Sequence, residues 1–416
     1  MCVLSASAQE TNLLSLAEAR ALVLKQHPRI TAAELIALAS REVVREVRSA
    51  YYPVITANAT VVGTSGSNTR IAAGALNNPL ILDRNAEGIM VSQIITDFGR
   101  TANLSASSTL NAKARESALQ ATREQIFLQV DSAYYRGLQA QAVREVARQT
   151  VAAREFIFQY IDESARSGLK SSVDLSFAKV GFSEGKLLLA SAENEVSAAN
   201  AVLANLLGER RPVYYCLVDE TNSVARPAEM SQLLAAALQN RPDLARMRYE
   251  KEAAFKFAQA EKKLHYPTVS AVGTAGVIPE HDALMKGDYA AAGINVSLPI
   301  FDGMLFSARE KEAEFRARAA EEGLREFENN IIQDVRIAAL NLEYSAQRIE
   351  LTRELVTSAR EAFELAQARY KAGASSILEL SQAQLSQTQA EIEQAQARYE
   401  YQTRNSILNF QLGHMP

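Results

Sequence analysis

The chain has 416 residues and nearly balanced charge, with 44 Lys and Arg against 48 Asp and Glu and a formal net charge of −4. That balance gives no reason to expect nucleic acid, and no run approaches the ~20 consecutive apolar residues of a membrane-spanning helix, so any contact with lipid would be made by strands. The histidines His27, His265, His281 and His414 lack the spacing of a metal site, and with no phosphate loop or nucleophile motif the sequence implies neither an enzyme nor a cofactor.

Residues 1–8 read as the end of a secretory signal, with Ala6-Ser7-Ala8 as an A-x-A cleavage site but without the basic and long apolar parts that should precede it. Cys2 is not expected to carry a lipid, because no apolar lipobox can precede position two. Cleavage after Ala8 would leave Cys216 as the only thiol, expected to be inert and packed, with no intrachain disulfide.

From there the chain states one pattern twice, in a first repeat at 9–208 and a second at 228–416. Pro28 and Tyr52-Pro53 bound an amphipathic stretch and recur 214 positions on as Pro242 and Tyr266-Pro267. Gly168, Leu175 and Leu207-Gly208 recur 205 positions on as Gly373, Leu380 and Leu412-Gly413, so the first copy has a longer loop between these landmarks. That loop is expected at Thr64 to Glu87, answering to Ile278 to Asp288 in the second copy, since insertions collect in exposed loops. Alternation with period two predicts strands on either side. Ile55, Ala57, Ala59 and Val61 oppose Thr56, Asn58 and Thr60, and Ala290, Ala292, Ile294, Val296 and Leu298 oppose Asn295 and Ser297. The matching strand at Ile89 to Ile95 is interrupted by Gln93 on its apolar face. Such faces suit a soluble sheet over a core, or a barrel with lipid outside and water inside.

No proline occurs from Ile81 to Arg211 or from Ile300 to Met415, which permits long helices. If Arg100 to Arg166 is one helix it spans ~100 Å at 1.5 Å per residue. Its counterpart carries Ile332, Val335, Ala339, Leu342, Ala346, Ile349, Val356 and Phe363 at coiled-coil spacing, many of them small, as in a wall of helices packed from two sides. Each long helix then reverses in a hairpin turn, at Ser167-Gly168-Leu169 and at Ala372-Gly373-Ala374. Ser171-Ser172 and Ser375-Ser376 can cap the returning helices, which end near Leu207 and Leu412. Residues 209–227, with Arg210-Arg211-Pro212, form an insert between repeats that would pack beside the helices or serve as a plain linker. The Gly181-x-x-x-Gly185 pair reads as a thin spot against a neighbour or a kink.

The duplicated order of helix, Tyr-Pro, strand, loop, strand, long helix, glycine turn and return helix is similar to that of TolC-type outer-membrane efflux and secretion factors. The motifs Asp97-Phe98-Gly99-Arg100, Phe301-Asp302-Gly303 and Arg369-Tyr370-Lys371-Ala372-Gly373 agree with it. The resemblance implies a mostly α fold with a small β part. Three chains would each give four strands to a twelve-stranded transmembrane β-barrel, and their long hairpins would form a periplasmic α-barrel. It also implies a homotrimer in the outer membrane, in contact with its lipid and extending into the periplasm. The partners implied are a periplasmic adaptor (membrane fusion) protein and an inner-membrane pump of RND, ABC or MFS type.

By the same resemblance, Glu379 falls where relatives carry an acidic residue of the entrance ring, and Gln382 where some carry a second. Tyr370 and Asp174 match a tyrosine and an aspartate that bond across hairpins and hold the entrance shut. A second, arginine-based link is not expected, because its positions hold Ser375 and Val173. The tips at Gly168, Leu169, Gly373 and Ala374 would meet the adaptor. The rival readings are a soluble periplasmic coiled-coil scaffold or adaptor, which would carry one hairpin, and a diffusion porin, which would be nearly all strand.

Overall fold

The structure, a computed structural model, describes residues 12–62, 84–168, 170–209, 213–219, 229–280 and 286–415. The signal-like residues 1–8 with Cys2, and also Leu169, Arg210-Arg211-Pro212 and His281, lie outside them. The described residues divide into two compact units, drawn from Met1–Glu34, Ala118–Leu244 and Phe327–Pro416 and from Leu35–Ser117 and Ala245–Glu326.

The element order is β1 (Asn12–Leu14), α1 (Leu16–Gln26), α2 (Pro28–Arg48), β2 (Val54–Val62), β3 (Arg84–Thr96), α3 (Arg100–Arg166), α4 (Ser172–Leu206), β4 (Tyr215–Leu217), α5 (Met230–Asn240), α6 (Pro242–Lys262), β5 (Thr268–Glu280), β6 (Asp288–Ser297), α7 (Leu305–Lys371) and α8 (Ile377–Gln411). The landmarks found in the sequence mark the joints. Pro28 and Pro242 begin α2 and α6, where a missing N–H costs nothing and φ is preset. Asp97 and Asp302 each receive two backbone amides at the joint into a long helix. For Asp97 these are Gly99 at 3.1 Å and Thr101 at 2.6 Å, and for Asp302 they are Met304 at 3.0 Å and Phe306 at 2.8 Å. Both long helices, α3 and α7, are 67 residues.

In the first unit, α7 buries Ile331, Val335, Ala338, Leu342, Ser345 and Thr352 among others, and the seam runs on in steps of three and four to Tyr370. Ile331 and Ser345 lie deeper than the expected Ile332 and Ala346, while Val335, Ala339, Leu342 and Val356 are buried as the spacing predicts. Small residues permit close approach, and polar seam positions are satisfied locally, as where Ser345 donates to the Leu342 carbonyl. The anticipated thin spot on α4 has a named occupant. Arg154 of α3 crosses it and donates to the Gly181 carbonyl at 2.7 Å, and a Cβ at Gly185 would stand 3.3 Å from Arg154 Cδ.

The largest core of this unit joins α1, α3, the end of α4 and two short strands that the sequence analysis missed. β1 pairs in parallel with β4, so Tyr215–Leu217 of the insert between repeats are docked, while 210–212 and 220–227 lie outside the described residues. The Tyr134 hydroxyl donates to carbonyls on both sides of that pair, Leu14 at 2.9 Å and Val218 at 2.7 Å. Gly137 makes room for Leu217, whose Cδ1 would stand 2.5 Å from an added Cβ. Cys216 faces outward on β4 and is exposed, which corrects the expectation of a packed thiol: on a strand only alternate residues enter the core, and here those are Tyr215 and Leu217.

Two buried charge clusters close this unit. Asp131 is fully buried and takes both arms of the Arg20 guanidinium, at 2.8 Å and 2.5 Å. Arg241 is buried against Asp243 at 2.6 Å and donates to Gln411. Burial, and then the Asp243 carboxylate, pushes Glu124 up to about 7 against the opposing pull of Arg241.

The second unit holds an antiparallel four-stranded sheet in the order β2-β3-β5-β6. Strand β3 begins at Arg84 rather than after Glu87, β5 continues through Ile278 to Glu280, and β6 begins at Asp288. The expected loop bounds thus give up residues to the strands, because ladder pairing such as Ala59 with Glu87 and Val277 with Asp288 carries polar residues that alternation alone cannot assign. Residues 64–83 and 281–285 of the two expected loops lie outside the described residues. Gln93 is accommodated on the sheet by donating to the Tyr51 and Ile94 carbonyls. Beside the sheet, buried Glu261 at the end of α6 takes Arg309 of α7 at 2.7 Å, with Arg100 of α3 at 4.0 Å. The position 214 earlier is Val47, so this clasp exists in the second repeat alone.

Asp131→Ala leaves Arg20 with no buried partner, and the expected loss is about 3–5 kcal/mol in denaturant unfolding; a loss below about 1 kcal/mol would contradict the pairing. Glu124 holds its proton in the fold at pH values where the unfolded chain has released it. Stability should therefore decline as pH rises from the ordinary carboxylate range to about 7. Glu124→Gln is expected to flatten that decline in melting curves taken from about pH 5 to about pH 8, whereas parallel profiles for the two proteins would exclude Glu124 as the titrating group.

Candidate functional site

The hairpin ends of the first unit gather most of the residues singled out in the sequence. Gly168 and Gly373 adopt φ of +74° and +72°, the left-handed conformation that ends a helix without a Cβ penalty. After Gly373 the Ala374 amide reaches back to the Arg369 carbonyl at 2.8 Å, satisfying a carbonyl of the last turn. The returning helices start on Ser171 and Ser376, each of which caps through its side chain. Asp174 and Glu379 occupy the same position after those caps, where a carboxylate complements the helix N-terminus.

The two hairpins pack on each other through Ile157, Ile161, Ala178, Ala366, Tyr370, Ile377 and Leu380. Tyr370 is 3 % exposed, and its hydroxyl has no hydrogen-bond partner among the described residues. Burial, followed by the nearby Asp174 carboxylate and Tyr160, pushes its phenol up to about 12. The Asp174 carboxylate instead accepts from the Ser171 amide at 3.3 Å. The structure thus brings Tyr370 and Asp174 into one neighbourhood without joining them. Lys170 places its ammonium 4.0 Å from the centre of the Tyr370 ring.

Glu379 is half-exposed and pairs with Arg369 across the glycine turn at 3.1 Å; Gln382 is exposed one turn further along α8. Neither Lys170 nor Arg369 was selected from the sequence as a partner of these groups. Arg369 and Glu379 flank the same glycine and meet through the folded turn, whereas Lys170 and Tyr370 belong to different hairpins and meet only where the two pack. Among the described residues no group of three or more His, Cys, Asp and Glu could hold a metal, and no helix is long and apolar enough to cross a membrane.

The sheet of the second unit carries the other candidate surface. Its register puts Ile55, Ala57 and Val61 of β2, Ile89 and Val91 of β3, Ala271 and Ala275 of β5, and Ile294 and Val296 of β6 on one face. Ile55, Val61, Ile89, Ile294 and Val296 are all more than half exposed. The opposite face carries Thr56, Asn58, Thr60, Ser92, Ser270, Thr274, Asn295 and Ser297. The outer edges of β2 and β6 have no strand beside them among the described residues. A face of this kind belongs against another apolar phase, and two open edges invite further pairing.

A family profile described as "Outer membrane efflux protein" matches residues 19–209 and 233–414. The chain belongs to the outer membrane efflux protein family. It is 23% identical to the outer membrane protein TolC of Escherichia coli (strain K12) over 394 residues, covering 90% of this chain and 77% of that one. The outer membrane protein OprJ of Pseudomonas aeruginosa is 27% identical over 311 residues, covering 69% of this chain and 60% of OprJ. Solved structures share the fold. A crystal structure of CusC superposes with a TM-score of 0.84 at 20% identity, covering 96% of this chain and 92% of that one. The outer membrane protein VceC of Vibrio cholerae gives a TM-score of 0.81 at 18% identity and 96% coverage of both. As a family member the chain is an outer-membrane protein and an export duct for efflux.

Proposed function

We propose that this chain is the outer-membrane channel-tunnel of a tripartite efflux or type I secretion system. In this reading it is a passive homotrimeric duct with no catalysis of its own, joined to a periplasmic adaptor and an inner-membrane pump of RND, ABC or MFS type. The sheet is the observation that carries it. A four-stranded sheet with an exposed apolar face and two open edges is incomplete alone, and three copies joined edge to edge remove every edge while turning the apolar face to lipid. A soluble scaffold leaves that face unexplained. Each repeat, 9–208 and 228–416, supplies one hairpin and two strands, so three chains give quasi-sixfold symmetry.

The hairpin ends then form the periplasmic entrance, with Gly168, Leu169, Gly373 and Ala374 at the tips that meet the adaptor. Glu379 acts as an acidic entrance residue with neutral Gln382 beside it, and Arg369 offsets part of its charge. Exposed ion pairs hold weakly, about 0–1 kcal/mol, so Arg369 tunes the ring without locking it. Tyr370 and Asp174 act as a latch that bonds when the hairpins twist shut. Support comes from their shared neighbourhood and from the buried hydroxyl that has no partner in the present arrangement.

In planar bilayers Glu379→Gln is expected to weaken cation preference and Arg369→Gln to strengthen it, while the double variant, which removes one charge of each sign, should fall between them; selectivity unchanged in both single variants would remove Glu379 from the constriction. Tyr370→Phe is expected to raise conductance, with Asp174→Ala adding little on top, and fully additive effects would argue against a shared bond.

A further inference from the structure

Gly88 of β3 and Gly276 of β5 are opposite each other in the sheet, and Gly276 is in turn opposite Tyr289 of β6. Neither glycine has positive φ, so the backbone conformation does not require them. What requires them is space. A Cβ added at Gly88 would overlap the Tyr289 hydroxyl, stand 3.1 Å from Cζ and lie 2.9 Å from the Ala275 carbonyl oxygen. One added at Gly276 would come within 2.5 Å of the hydroxyl and 2.6 Å of Cζ, and would also overlap the Glu87 carbonyl. The phenol of Tyr289 therefore lies flat across two strands, in a notch floored by two residues without side chains. Its row continues to Asn58 of β2, on the face that carries Thr56, Thr60, Ser92, Thr274 and Asn295.

That face carries the hydroxyl and amide side chains of the sheet, with Val54, Met90, Ile94 and Val272 among them, and Tyr289 is its largest side chain at this level. The geometry points to Tyr289 as a bore-setting residue of the duct, seated by the Gly88–Gly276 notch so that its ring lines the wall instead of projecting into the lumen. This inference rests on the barrel reading, which turns the polar face inward. A closed small barrel has limited interior room, and a phenol standing out from the wall in each of three chains would narrow it at one level. Gly88 is the informative position. Its largest conflict is with the movable end of Tyr289, and its backbone conflict, 2.9 Å to the Ala275 carbonyl, is the milder of the two, since a Cβ at Gly276 would overlap the Glu87 carbonyl outright.

The test is single-channel conductance of purified, detergent-extracted protein in planar bilayers, for the wild type, Gly88→Ala, Tyr289→Ala and the double variant. Gly88→Ala lifts the ring and is expected to lower conductance below the wild-type value, by more when the entrance is opened with Tyr370→Phe, while Tyr289→Ala alone changes it little. Adding Tyr289→Ala to Gly88→Ala should restore the wild-type value. Should Gly88→Ala fail to insert, Tyr289→Ala is expected to rescue insertion as well, since it removes the larger overlap and leaves only the 2.9 Å approach to the Ala275 carbonyl. Wild-type conductance in inserted Gly88→Ala channels, or a double variant as impaired as the single in either readout, overturns the notch while leaving the barrel intact. A wild-type protein that makes no pores overturns the barrel reading and the notch with it.

Discussion

An antiparallel sheet satisfies its backbone only where a neighbouring strand exists, and among the described residues this sheet stops at four strands with none beyond β2 or β6. Each open edge leaves a row of amides and carbonyls unpaired by protein, and one face of the sheet is a field of Ile, Val and Ala with no core against it. Neither problem has a solution among the described residues. Both are solved together when copies join edge to edge and the apolar face meets lipid, because closure removes the edges and the bilayer supplies the missing apolar phase. The repeated architecture follows from that demand. Duplication supplies strands in pairs, and each pair is delivered with its own long hairpin.

The helices face a different constraint. A helix of 67 residues gains little from a compact core and must be stabilised along its length by narrow seams. Ala338, Ala359 and Ala366 on α7 let neighbouring helices approach, and bulk is reserved for places where elements converge, as at Tyr134 and Tyr370. Charge is treated in the same way. Most ion pairs sit at helix surfaces, whereas Asp131 and Glu261 are buried and answered by arginines from other elements. These clasps break the symmetry of the repeats, since Asp131 has Arg336 as its counterpart 205 positions on. The two halves share a fold but not a set of polar ties.

Much of this was legible in the sequence because backbone chemistry leaves a mark wherever it is local. Pro28 and Pro242, the tip glycines and the serine caps each announce a conformation that few other residues provide. Period-two alternation gave the faces of β2 and β6. Interactions across the fold left no such mark. The β1–β4 pair is three residues long on each strand and joins positions about two hundred apart, too short for any pattern to rise above chance. The outward turn of Cys216 depends on that same pair. Lys170 over Tyr370, Arg369 on Glu379 and the glycine notch under Tyr289 are side-chain contacts fixed by register and turn geometry, which periodicity cannot supply. The strand ends were misplaced for a related reason. Glu87 and Asp288 are polar residues held in the ladder by their partners and not by their own preference.

Edge-to-edge closure by copies of this chain is the central claim, and the mass of the assembly tests it most directly. The measurement is the oligomeric mass of protein extracted from isolated outer membranes of a diderm host that expresses the chain behind an intact signal peptide. The account predicts a trimer that leaves the membrane only with detergent. A monomer or dimer released in soluble form by osmotic shock would contradict it.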